Sequence, residues 1–127
     1  MEDKPWEPLV TAFVAKYYET FDSDRASVVQ LYHPDAYIQF ENHFGKGHKM
    51  ITQILTEKVQ FRVIQHIITK VDSQPTLEGG VIIVVTGRLK ADDDPPHAFS
   101  QTFYIRPFNN NYFLCHDFFR LSIHDSA

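Results

Sequence analysis

The chain opens with apolar residues at steps of three and four. In "WEPLVTAFVAKYYETFD", Leu9, Val10, Phe13, Val14, Tyr17 and Phe21 fall on one stripe, the mark of a helix with one buried face. Asp22 to Asp24 break the stripe, and "DRASVVQLY" predicts a second, short helix through Val28, Val29 and Tyr32, stopped by Pro34. "AYIQFE" predicts a short strand. "FGKGHKMITQILTEK" supplies turn glycines and then a third amphipathic helix through Met50, Ile51, Ile54 and Leu55. From Phe61 onward the pattern is β: "FRVIQHIITKVDSQ", "GGVIIVVTGRLKA", "FSQTFYIRPF" and "YFLCHDFFRLSI" predict long strands. Between them "PTLEGG", "DDDPPH" and "NNN" predict hairpin turns. Helices first and strands afterwards predict an α+β fold, with three N-terminal helices packed on one face of an antiparallel sheet, in a single domain over residues 1–127.

An antiparallel sheet with one wet face alternates apolar and polar residues. These strands do not. Val81, Ile83 and Val85 point one way while Ile82 and Val84 point the other; Phe119, Leu121 and Ile123 share a face, with Phe118 opposite. The helices cover one face. A second copy of the sheet is the simplest cover for the other, which predicts a homodimer with Val84 and Phe118 in its interface.

Composition narrows the function. With 127 residues, 43% hydrophobic and 14% aromatic, the chain can bury a real core. A net charge of −4 without a Lys/Arg cluster excludes a nucleic-acid binder. The single cysteine, Cys115, allows no internal disulfide and suits a reducing compartment. "MEDKPWEP" lacks the apolar stretch of a secretory signal, and "VIIVV" is far short of the roughly 20 residues a membrane span needs. The expectation is a soluble intracellular protein. His33, His43, His48, His97 and His124 show no metal-ligand spacing, so no metal or cofactor is expected.

Two features carry candidate chemistry. In "LKADDDPPHAF", Asp92, Asp93 and Asp94 crowd one hairpin tip. A turn needs polar residues but not three adjacent carboxylates, so the tip is either a solvated loop or a docking site. The second feature is His66 with Asp117, which strand phase places on helix-side faces. A His–Asp pair in an apolar pocket builds a general base, with Tyr17 or Tyr18 to polarise a carbonyl. The plainer alternative is a core histidine satisfied by a neighbouring carboxylate. Cys115 points to the face opposite its neighbour His116 and is not its nucleophile.

"FVAKYYETFDSDR", "VDSQP", "TGRLKADDDP", "FSQTF" and "HDFFRL", in that order, resemble the matching segments of the nuclear transport factor 2 family. The resemblance extends over nearly the whole chain. It implies a strongly bent sheet that forms a cone with an apolar cavity, a shape shared with small enzymes such as ketosteroid isomerase. It also implies a carrier without cofactor rather than a catalyst. Such carriers bind the GDP form of the Ran GTPase and phenylalanine-glycine (FxFG) repeats of nucleoporins, moving between cytoplasm and nucleus through the pore in the nuclear envelope.

In that family the cavity takes an aromatic side chain from switch II of Ran, and acids at the rim pair with its basic residues. Carried over by position, the acids are Asp92, Asp94 and Glu41, and Phe40, Ile64, Leu89, Ala91 and Phe119 line or neighbour the cavity. Trp6 matches a tryptophan tied to nucleoporin repeats, although on sequence alone it serves equally as a hydrophobic staple for the first helix. Three positions depart from the pattern. Phe40 stands where animal members usually carry Trp, Pro96 and His97 replace apolar residues, and Phe118 replaces a methionine at the dimer face. The alternative is a small-molecule isomerase or dehydratase of the same fold that uses the His66–Asp117 pair.

Overall fold

A computed structural model describes residues 3–59 and 61–122. Helix α1 spans Glu7–Ser23, with Pro8 in the first turn, where its missing N–H has no partner to lose. Val10, Val14, Tyr17, Tyr18 and Phe21 are its buried residues, and Leu9 and Phe13 pack half-buried beside them. Tyr18 lies next to the predicted stripe and widens it. The Asp24 N–H closes the helix on the Thr20 carbonyl at 2.7 Å.

The second predicted helix forms as a 3-10 helix, Arg25–Leu31. Tyr32 is not part of it but opens strand β1, Tyr32–Phe40, which contains Pro34. The β1 pairing shifts register between Tyr32 and Tyr37, so the ladder asks no N–H of the proline there. Strand β2, His43–Lys46, pairs back onto β1; the sequence reading had only turn residues in that place. Helix α2, Gly47–Gln53, runs on into a π-helical turn, Ile54–Lys58, and together they make the third predicted helix. Strands β3 (Ile64–Pro75), β4 (Val81–Ala91), β5 (His97–Phe108) and β6 (Asn111–Leu121) follow with turns at the expected places.

The sheet runs β2-β1-β6-β5-β4-β3. It is mixed, which corrects the expected purely antiparallel sheet: β1 lies parallel to β6 while every other pair is antiparallel. The β3–β6 meander sets the direction of β6, and the β1–β2 hairpin, arriving from the helices, adds to its free edge. Register shifts at Ile68/Lys70 on β3 and at Tyr104/Ile105 between β5 and β6 bend the long strands. Gly87 faces the first of these, where a Cβ would stand 2.2 Å from the Ile67 carbonyl oxygen; only a missing side chain allows that approach.

The phases read from the strands hold. Val81, Ile83 and Val85 join Phe99, Phe103, Ile105, Leu114 and Phe119 in the core against α1, while Ile82 and Val84 stand exposed. Phe118 is 54% exposed on that same outer face. Ile123, expected beside Phe119 and Leu121, lies outside the described residues. Among the described residues no helix is long and apolar enough to cross a membrane.

Candidate functional site

The acidic tip is a built turn. Asp92 adopts φ 49°, the left-handed conformation that aspartate tolerates better than most residues. Its backbone N–H donates to the Val63 carbonyl at 2.9 Å, and its Oδ1 accepts from the Val63 N–H at 2.9 Å. The Lys90 ammonium donates to the carbonyls of Asp92 at 2.9 Å and Asp94 at 2.6 Å. A cation therefore sits beneath the three exposed carboxylates and offsets part of their repulsion. The Asp94 carboxylate enters no ion pair among the described residues. One arm of the tip is thus structural and the other free.

Glu41 follows β1 with φ 54°. Its N–H donates to the Phe119 carbonyl, and its Oε1 accepts from the Leu121 N–H. The register brings this corner and the tip to one end of the sheet, where β1, β4 and β6 finish and β3 begins. Phe40 pairs with Phe119 across the parallel ladder, their rings stacked at 4.4 Å, and Phe119 stacks on Phe99 at 5.4 Å. Ile64 is opposite Ala91, and Leu89 opposite His66. Ile64, Leu89, Ala91 and Phe119 are buried, and Phe40 is half-buried. Apolar side chains thus occupy the inner face just below the two acidic corners.

The predicted His66–Asp117 pair does not form. Asp22, at the end of α1, takes His66 instead: its Oδ1 lies 2.6 Å from the ring Nδ1, and its Oδ2 accepts the His66 backbone N–H at 2.9 Å. The His66 side chain is 2% exposed, with Tyr18 and Phe21 against the ring at 4.6 and 5.1 Å. The plainer alternative, a core histidine satisfied by a carboxylate, holds with a different carboxylate.

Asp117 is occupied elsewhere. Its Oδ2 accepts the Tyr32 hydroxyl at 2.5 Å, with the Tyr17 hydroxyl at 3.3 Å, and its Oδ1 accepts the Gln101 amide at 2.8 Å. The Tyr18 hydroxyl closes the cluster on Gln101 Oε1 at 2.7 Å. Burial raises the pKa of all three tyrosines, and the Asp117 charge adds to the effect, so they are held as phenols. Neither Tyr17 nor Tyr18 is free to polarise a substrate carbonyl. The sequence carried a signal for this cluster, two polar residues (Gln101 and Asp117) at inward phases among rings, but it did not name the partners.

Two more features lie away from the acidic end, one at the β3 edge, where Ser73 pairs with the inward-facing Ile83, and one on the outer face. Trp6 precedes α1, is half-buried, and donates its indole N–H to Ser73 Oγ at 3.0 Å. Ser73 also lines a cleft of about 430 Å³ with Lys4, Val71, Ile82 and Val84. Farther across the sheet, Val84, Thr102 and Phe118 form one cross-strand row. Below that row an apolar hollow of about 340 Å³ is bounded by Ile82, Tyr104, His116 and Phe118. Among the described residues, no group of three His, Cys, Asp or Glu side chains is placed to hold a metal ion.

The family model of the nuclear transport factor 2 (NTF2) domain matches residues 9–121. A probable nuclear transport factor 2 of Caenorhabditis elegans is 38% identical over 128 residues, 95% of this chain and 96% of the relative. The nuclear transport factor 2 of Saccharomyces cerevisiae is 36% identical over 116 residues, 90% of this chain and 92% of the relative. The solved structure of nuclear transport factor 2 from Cryptosporidium parvum superposes with a TM-score of 0.87 at 32% identity, over 94% of this chain and 97% of that one. ActVI-ORFA of Streptomyces coelicolor, 11% identical, shares the fold alone, with a TM-score of 0.77 over 94% of this chain and 98% of that one.

Proposed function

This chain belongs to the nuclear transport factor 2 family, and from that premise we propose that it is a nuclear import carrier for the GDP-bound Ran GTPase, not an enzyme. The observation that carries the reading is one end of the sheet, where Glu41 follows Phe40 beside Phe119, and where Asp92 and Asp94 follow Ala91 opposite Ile64, with Leu89 on the same strand. The bent sheet acts as a cone whose apolar interior receives one aromatic side chain from switch II. The acids orient the partner through its basic residues. A buried ring supplies contact area, and charge supplies orientation and association rate. The carrier works as a two-fold dimer, sheet to sheet, with Phe118 and Val84 in the interface, and it shuttles between cytoplasm and nucleus through the pore. The isomerase alternative has lost its dyad, since His66 and Asp117 have separate partners.

The direct test is capture of Ran loaded with GDP in parallel with Ran loaded with GTP. Retention of the GDP form alone is the expected result. Equal retention of both forms, or of neither, would overturn the proposal.

Trp6 is the contact for FxFG repeats in this reading. Disordered repeats bind through isolated phenylalanines, each on a shallow aromatic surface. Trp6→Ala should weaken an FxFG peptide roughly three- to tenfold, the worth of one aromatic pair. Trp6→Phe loses the bond to Ser73 but keeps a ring, and should retain most of the binding. Wild-type affinity in Trp6→Ala by peptide titration would leave the residue only its structural bond to β3.

A further inference from the structure

We infer that Asp117 is a proton-operated clamp, a carboxyl that ties α1, β1 and β5 together and stabilises the fold more when neutral than when charged. The inference is independent of the carrier reading. Asp117 is 1% exposed, and its partners come from three elements: Tyr17 on α1, Tyr32 at the start of β1 and Gln101 on β5. All are neutral donors. Tyr18 on α1 reaches the cluster only through Gln101. Asp22, near the end of α1, and His66 on β3 hold each other at 2.6 Å. Among the described residues no salt bridge reaches the Asp117 carboxylate. A buried charge without a counter-ion is costly, and a proton is the one neutraliser left to it. No buried side-chain nitrogen or oxygen lacks a partner among the described residues, so the cluster is complete without a further ligand.

The geometry accepts that proton with little rearrangement. The Tyr32 hydroxyl lies 2.5 Å from Asp117 Oδ2 and 2.8 Å from the Tyr17 hydroxyl. With the carboxylate charged, Tyr32 donates to Oδ2. With the carboxyl neutral, the new O–H at Oδ2 donates to Tyr32, which turns its own proton toward Tyr17. Gln101 continues to donate to Oδ1 in both states, and the only atom gained is one proton from water.

Burial pushes the Asp117 carboxyl up to about 6 from an ordinary value of 3.8, although its three hydrogen bonds pull the other way. The folded state therefore holds this proton more tightly than the unfolded chain does. Its contribution to stability is full below the unfolded value and is lost as pH rises through the folded one, the reverse of an ion-paired aspartate. From this group alone, the folding equilibrium constant should fall about tenfold per pH unit across the window between those values.

The experiment compares denaturant unfolding of wild type and Asp117→Asn between pH 7 and pH 4.5, where the other titrating groups contribute equally to both. The ratio of their folding constants should move about thirtyfold in favour of wild type on going to the lower pH. Parallel profiles would overturn the clamp. Should the variant fail to fold, a carbon-13 titration of the Asp117 carboxyl in the wild-type protein decides the matter. A midpoint near 6 is expected, and a midpoint in the ordinary carboxylate range would overturn the inference.

Discussion

Phe118→Glu is expected to sediment as a monomer at micromolar concentration, while wild type sediments as a dimer. Phe118 is 54% exposed, and with Ile82 and Val84 it gives the outer sheet face an apolar centre that helices do not cover. An isolated carboxylate buried there would cost several kcal/mol, and a two-fold axis places the substitution in the interface twice. The fold should survive, because Phe118 faces away from the core while its neighbours Asp117 and Phe119 face into it. Matching melting curves measured at high dilution would confirm that only assembly was lost. A wild-type protein that sediments as a monomer under the same conditions would sink the dimer, and so would a Phe118→Glu protein that remains dimeric.

The second large effect concerns the acidic tip. Asp94→Asn should reduce Ran–GDP affinity by roughly thirtyfold or more, in line with about 2–5 kcal/mol for removing one partner of a desolvated charge pair. It is cleaner than Asp92→Asn, because among the described residues its carboxylate enters no ion pair or hydrogen bond, whereas that of Asp92 holds the Val63 N–H. Asp92→Asn should lose as much affinity. It keeps an oxygen for the Val63 N–H, so the turn that Asp92 fastens stays closed. Asp93→Asn should change least, since the family resemblance assigns the partner contacts to Asp92 and Asp94 and not to Asp93. The losses should shrink as salt rises, because exposed charges are screened beyond a Debye length of about 8 Å at physiological ionic strength. A titration giving equal affinity for wild type and all three variants would reduce the tip to a solvated turn braced by Lys90.

Much of the fold is visible before any coordinate is drawn. Tyr17 and Phe21 lie on the helix stripe, Val81, Ile83 and Val85 face inward, Ile82 and Val84 face outward, and the three hairpin turns fall where acids, prolines and asparagines cluster. Each is a local property: side-chain period fixes the face, and turn residues fix where the chain reverses. The candidate docking residues came from resemblance along nearly the whole chain, and the register then gathered them at one end of the sheet.

Pairing was decided only in three dimensions. Strand β2 and the parallel β1–β6 contact depend on which free edge a short hairpin meets, and no periodicity encodes that. Phase correctly turned His66 and Asp117 inward but could not say what each would meet. The acid that takes His66 lies 44 residues earlier on α1, and the two phenols around Asp117 lie 85 and 100 residues from it along the chain. The sequence determined which face residues share within each unbroken run of a strand, because alternation is a property of the single strand, whereas the shifts at Ile68/Lys70 and Tyr104/Ile105 reverse it. Which side chains became neighbours on that face followed from register, bulges and the seating of α1, and these are set only when the whole sheet closes against its helix.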